Sequence, residues 1–201
     1  MEINYEAGAI IGQFYKEELT PVIHEVEKIK KDFTKATKYN YKLAGNISKE
    51  FELTESKRFL ESLMLPFVMK HSEIFKEMPI LTNDVPITLQ DLWVNFQAKY
   101  EFNPLHCHDG LFSFVLWLDI PFSNKDELQM PHVKDSNSQS AGNFIFVVSG
   151  RNGVETIDLP VDKEWNYKFA LFRADLIHTV YPFYTSDNYR VSVSGNFYYL
   201  T

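Results

Sequence analysis

The chain has 201 residues, 45% of them apolar and 15% aromatic, enough to bury one sizeable core in one domain or two. Its 20 lysines and arginines against 27 acidic residues leave a net charge of −7, which argues against an electrostatic grip on nucleic acid or on an anionic membrane. A single cysteine excludes an internal disulfide framework and suits a reducing, cytoplasmic setting.

Residues 1–6 lack a basic segment followed by an apolar one, so no signal peptide is expected. No apolar run approaches the roughly 20 residues of a membrane span. Residues 1–20 suit a short helix or a strand equally. Thr20-Pro21 predicts a helix start, and Val22, Ile23, Val26, Ile29 and Phe33 then recur at helical spacing, with Glu25, Glu27, Lys28, Lys30 and Lys31 as a solvated face. Residues 39–53, which contain Leu43-Ala44-Gly45-Asn46, read as a loop. Thr54-Glu55-Ser56 opens a second helix, whose stripe of Phe59, Leu60, Leu63, Phe67 and Val68 is interrupted or kinked at Pro66. His71 has no candidate ligand near it and reads as a surface or packing residue.

After Met78-Pro79 the texture changes: short runs rich in β-branched and aromatic residues alternate with turn residues. Strands are predicted over 92–99, 111–120, 144–148, 155–159, 168–172, 179–183 and 189–200. Seven short strands with no helical segments between them indicate a β-sandwich or barrel. The chain thus reads as one domain, mainly β over residues 85–201, on a helical N-terminal support over residues 1–80. The polar stretch 123–142 is expected to be a lid or a disordered loop.

Chemistry concentrates in two places. In Asn103-Pro104-Leu105-His106-Cys107-His108-Asp109-Gly110, two histidines two residues apart share one face of a strand while Cys107 turns away. Asp109 is an alternative ligand if the chain turns at Gly110. Far along the chain, an apolar run leads into His178, and twelve residues later come Arg190 and Ser192. Two adjacent imidazoles plus a distant one can hold a single metal ion and leave coordination positions open, with iron, zinc, copper and nickel all suited to nitrogen donors. Arg190 and Ser192 share a strand face and suit a carboxylate, which arginine binds in bidentate fashion. His24 in the first helix and His132 in the polar stretch read as non-ligands. No glutamate accompanies the histidines as a general base, which disfavours a zinc hydrolase.

This pattern resembles the Fe(II)- and 2-oxoglutarate-dependent dioxygenases, with H-x-D/E, a distant histidine, and an arginine some ten to fourteen residues further on, often as R-x-S. More narrowly, residues 103–113 resemble the NPxHxHxGxxS segment of a 2-oxoglutarate/Fe(II) oxygenase family found in bacteria and tailed phages. Residues 171–192 are similar to its closing motif. The resemblance covers roughly residues 90–200. It implies a double-stranded β-helix (jelly-roll, cupin-like) core and Fe(II) and 2-oxoglutarate as cofactors, with O₂ and an unidentified substrate as partners. It also implies His106 and His178 as metal ligands, His108 where the wider superfamily has Asp or Glu, and Arg190 with Ser192 on the far carboxylate of 2-oxoglutarate. Trp93, Asn95 and Gln97 share the face of the preceding strand and line either the cosubstrate pocket or the core. The alternatives are a cupin-like three-histidine dioxygenase that does not use 2-oxoglutarate, and a non-catalytic jelly-roll binding protein. Unpaired outer strands would allow a homo-oligomer.

Overall fold

The computed structural model describes residues 4–75, 85–151 and 153–200. In chain order its elements are β1 (Asn4–Glu6), β2 (Ala9–Gln13), α1 (Thr20–Lys31), β3 (Glu50–Glu52), α2 (Lys57–Phe75), β4 (Ile87–Gln97), β5 (Asn103–His106), β6 (Phe112–Asp119), α3 (Asn124–Glu127), β7 (Phe144–Gly150), β8 (Gly153–Leu159), β9 (Lys168–Arg173), β10 (His178–Val180) and β11 (Arg190–Tyr199). They build two antiparallel sheets. One has seven strands in the order β1-β2-β9-β6-β11-β4-β3, and the other four in the order β5-β10-β7-β8. The change of texture at Met78-Pro79 lies outside the described residues.

Strand periodicity explains the layering. Alternate residues of β6 and β9 face opposite sides of the large sheet, as a pleated strand requires. Phe114, Leu116, Phe169 and Leu171 pack with Val22, Val26, Leu60 and Met64 of the two long helices. Val115, Trp117, Ala170 and Phe172 point the other way and meet Phe144, Phe146 and Leu159 of the small sheet. The result is three layers: helices, large sheet, small sheet. Burying each of these phenylalanines contributes roughly 1.5–3 kcal/mol, so the two apolar layers hold the sheets in register.

The two predicted helices are present, and α2 runs through Pro66 without a break. Among the described residues no helix is long and apolar enough to cross a membrane. The N-terminal region differs from expectation in carrying strands as well. Residues 4–13 form β1 and β2, which extend the large sheet through β9, and β3 pairs with β4 inside the stretch read as a loop. Strands of three to five residues are too short for alternation to register, and cross-strand pairing decides them. His71 is buried, as packing would require: its Nε2 lies 2.7 Å from the Gly8 carbonyl oxygen, and its ring meets Phe75 and Phe112.

Entry into α2 is secured from the neighbouring helix. Buried Glu25 accepts from the amides of Thr54 and Glu55 on one carboxylate oxygen, and from the amide and hydroxyl of Ser56 on the other. Charge-assisted bonds at a helix N-terminus are the strong kind. Glu25→Ala is expected to lower unfolding free energy by on the order of 2–4 kcal/mol, measured by denaturant titration, because three amides and a hydroxyl lose their acceptor.

The 123–142 stretch is not the structureless loop expected. It opens with α3, and buried Glu127 accepts from the amides of Tyr184 and Thr185. Val133 is buried, and residues 137–140 flank a groove on the outer face of the small sheet, away from the inter-sheet interior.

Candidate metal and carboxylate site

β5 and β10 run antiparallel with His106 directly opposite His178, so one rung of the small sheet brings both imidazoles into the space between the sheets. His108 lies just beyond the end of β5 rather than on it. Its backbone amide donates to the Ala174 carbonyl at 2.8 Å, which carries its side chain to the same space. The chain then turns at Gly110, whose φ of +97° is in the region that favours glycine; a Cβ there would also lie 2.7 Å from the Phe197 carbonyl oxygen.

One nitrogen from each of His106, His108 and His178 lies within 4.8 Å of the others. Two of the rings have a fixed orientation. His106 Nδ1 is 2.7 Å from the Pro104 carbonyl oxygen and His178 Nδ1 is 2.9 Å from that of Leu176, so each Nδ1 carries the proton and each Nε2 keeps its lone pair. Phe144 stacks on His178, with ring centroids 5.3 Å apart, and Phe172 meets it edge-on. Burial holds all three imidazoles below their ordinary range. His108 falls to about 4, with His106 adding to the effect, and His178 lies well below the usual value, with His106 and His108 adding. All three are therefore neutral at pH 7, the form that binds a metal. Asp109 stands outside this group, exposed at the rim of a neighbouring pocket with Asp91 and Tyr198.

The other wall comes from β4 and β11. Register sets Ser194 opposite Trp93, Ser192 opposite Asn95 and Arg190 opposite Gln97, and all six side chains line the same interior. Asn95 Nδ2 donates to Ser192 Oγ at 3.3 Å. Arg190 is only 2% exposed. Its Nε and Nη2 donate to Gln97 Oε1 at 3.0 and 2.7 Å, Nη1 to the Gly142 carbonyl at 2.6 Å, and Nη2 also to the Tyr181 carbonyl at 3.0 Å. Among the described residues, none of the ion pairs involves Arg190. Burial lowers it to about 9, against the field of Glu127. A buried cation hydrogen-bonded only to neutral acceptors carries a desolvation cost that the field of Glu127 offsets only in part, and an anionic ligand would relieve the rest.

The interior between these walls measures about 40 Å³, room for an ion or a water. A five-carbon diacid needs side chains to move, and Gln97, which masks two donors of Arg190, is the nearest to do so.

Every residue singled out from the sequence for this site borders the one interior except Asp109. His132 packs against Tyr184 and takes no part. Ser194, Asn103 and Ile47 also line the space and were not singled out for a role. Ser194 follows from the two-residue repeat that pairs Arg190 with Ser192; Ile47 has no sequence signal, since it arrives through the approach of residues 40–47 to the small sheet's edge.

No family model matches the chain, and no curated protein matches it in sequence. Solved structures do match. It is similar to a prolyl-4-hydroxylase from Pseudomonas putida, with 15% identity and a TM-score of 0.54 over 96% of this chain and 94% of that one. A 2OG-Fe(II) oxygenase family oxidoreductase from Burkholderia pseudomallei gives 15% identity and a TM-score of 0.51, over 96% and 85%. The non-haem alpha-ketoglutarate-dependent epimerase SnoN of nogalamycin biosynthesis gives 13% and 0.54, over 96% and 77%. At such identities the likeness speaks of architecture: the chain has the fold of these proteins along almost its whole length.

Proposed function

We propose that the protein is an Fe(II)- and 2-oxoglutarate-dependent dioxygenase, hydroxylating a substrate whose identity the site does not declare. Its two sheets are read as a double-stranded β-helix, with residues 85–201 carrying the catalytic side chains and residues 1–80 supporting them. The observation that carries the reading is the juxtaposition, around one narrow interior, of three neutral imidazoles and a buried arginine that none of the ion pairs among the described residues includes. The donor set fits a metal ion. The charge of Arg190 fits a carboxylate, once the interior opens.

In this reading His106, His108 and His178 hold Fe(II), and Arg190 with Ser192 receives the far carboxylate of 2-oxoglutarate. Bound there, the metal and the keto acid would activate O₂ as the oxidant, with two of its four electrons coming from decarboxylation of 2-oxoglutarate to succinate and CO₂ and two from the substrate C–H bond. The chain contributes orientation and exclusion of water. The backbone carbonyls of Pro104 and Leu176 fix two ligand rings, Phe144 and Phe172 dry the metal's flank, and Trp93 and Asn95 close the opposite wall. Three neutral ligands leave the ion's charge unreduced, which favours anionic chelators on the open positions. A three-histidine dioxygenase independent of 2-oxoglutarate has no use for a buried guanidinium, so Arg190 favours the first reading.

The test is calorimetric titration of 2-oxoglutarate into anaerobic Fe(II)-loaded protein, compared with Gln97→Glu. That variant sets a carboxylate where Gln97 Oε1 now meets Arg190, at the expense of the bond from Gln97 Nε2 to the Glu101 carbonyl at 2.6 Å. Wild type should bind one equivalent. The variant should keep the metal and lose affinity for 2-oxoglutarate by about tenfold or more, since the internal ion pair must break first. Equal affinities would remove Arg190 from the site.

A further inference from the structure

A second polar feature lies behind the carboxylate wall, where the outermost strands β3 and β5 of the two sheets approach each other. Glu50 of β3 stands opposite Asn95 in the sheet register, and Asn103 opens β5 at the edge of the other sheet. Glu50 is 1% exposed and Asn95 6%. Glu50 Oε1, Asn95 Oδ1 and Asn103 Oδ1 are all buried acceptors without a hydrogen-bond donor. Asn103 Oδ1 and Glu50 Oε1 converge on one point, the place a Cβ would occupy on Gly45, at 2.5 and 2.9 Å from it. Glu50's other oxygen accepts from Asn40 Nδ2 at 3.0 Å. Asn95 and Asn103 border the candidate site, and Glu50 sits behind them.

Buried acceptors that face each other without a donor lack a proton. Here the carboxyl is the group that can carry one. An amide can turn over, presenting either its oxygen or its NH₂ to a neighbour. The seam therefore has two consistent arrangements. With Glu50 neutral, its O–H donates to an amide oxygen, and the amide NH₂ group is free to face the interior. With Glu50 ionised, the NH₂ group turns to the carboxylate and the amide oxygen faces the interior. The first arrangement presents donors to an anion; the second presents acceptors that repel it.

We infer that Glu50 is a positioning residue which keeps its proton, donates it to Asn103 Oδ1 and thereby makes Asn103 a hydrogen-bond donor to a bound carboxylate. This rests on the proposed function for the identity of the carboxylate, and it adds a group from outside the metal and arginine constellation. The electrostatics agree: burial pushes the Glu50 carboxyl up to about 8, with the charge of Glu101 adding, against the hydrogen bond from Asn40. The other ionisable groups around the seam and interior are Glu101 after β4, Lys49 beside Glu50, Arg190 on β11 and the three histidines. Glu101 is itself bonded by the amides of Ser48 and Ala98, and Lys49 is engaged with the Tyr189 hydroxyl.

The test is titration of 2-oxoglutarate into Mn(II)-loaded wild type and Glu50→Gln at pH 7 and pH 9. Glutamine can donate to and accept from the same neighbours at every pH. The two proteins should bind alike at pH 7. At pH 9 wild type should be about tenfold weaker than Glu50→Gln, and should take up a proton on binding, read from the dependence of the heat on buffer ionisation. Changes shared by both belong to Arg190 or the metal. Identical pH profiles would overturn the inference.

Failure of wild type to bind 2-oxoglutarate at pH 7 would instead overturn the proposed function, and the carboxylate half of this inference with it. The proton half has its own test in thermal unfolding without ligand. A carboxyl whose folded value lies above its unfolded one loses stability as pH rises between the two. Glu50→Gln should therefore gain melting temperature on wild type from pH 5 to 8 and hold the gain above that. Parallel curves would show Glu50 ionised throughout and overturn the inference.

Discussion

Replacing His178 is expected to cost the site its tight metal binding. Its Nε2 is one of three donors, and its orientation is set by the Leu176 carbonyl and the flanking faces of Phe144 and Phe172. Two remaining imidazoles, one of them anchored only through its backbone, make a weak chelate. Affinity for Fe(II) should fall by more than the roughly 10–100-fold that follows loss of a supporting hydrogen bond to a ligand. His178→Ala also leaves a cavity costing on the order of 2–4 kcal/mol. His178→Leu fills that space without a donor, so it should keep the circular dichroism spectrum and a cooperative melt while losing both Fe(II) in calorimetry and succinate formation. Retention of tight metal binding by His178→Leu would place the ion elsewhere.

The second large effect belongs to Arg190. Arg190→Lys preserves a positive charge but not the planar fork that reaches Gln97, Gly142 and Tyr181 together. Arg190→Met removes the charge and the fork while keeping an unbranched, flexible stem. Both should bind Fe(II) like wild type, because the arginine touches none of the histidines in the hydrogen-bond network described. Affinity for 2-oxoglutarate should fall by roughly 30-fold or more, as expected when one member of a desolvated charge pair is deleted at a cost of about 2–5 kcal/mol. The split is diagnostic: metal affinity unchanged, cosubstrate affinity lost. Loss of both in parallel would mean that Arg190 acts only through the fold, by leaving Gln97 Oε1 and two carbonyls without donors.

Much of this architecture was legible in the residues. The seven predicted strands all appear, because aromatic and β-branched residues alternate strongly enough over their length to mark two faces. Helices α1 and α2 follow from the spacing of Val22, Val26, Leu60 and Phe67. The short strands β1, β2 and β3 were not legible, since what makes them strands is a free edge of the large sheet offered by β9 and β4. His106, His108, His178 and Arg190 stood out as residue types, and strand register then brought them together: His106 opposite His178, Arg190 opposite Gln97. Glu50 was invisible. Its neighbours Asn95 and Asn103 come from strands in different sheets, and one more glutamate among 27 acidic residues carries no signal until burial is known. The 123–142 stretch misled for the opposite reason. Its polar composition suggested freedom, yet Glu127 is buried to hold Tyr184 and Thr185, and Gly142 holds Arg190.

The most direct test of three imidazoles acting with Arg190 is the fate of isotopically labelled 2-oxoglutarate incubated with the protein, Fe(II), O₂ and ascorbate, which supplies the two electrons a substrate would otherwise give. Labelled succinate should form slowly, in proportion to the O₂ consumed. It should disappear with His178→Leu or Arg190→Met and return to neither on adding more iron. Tight Fe(II) binding by wild type with the labelled keto acid recovered intact would contradict the account.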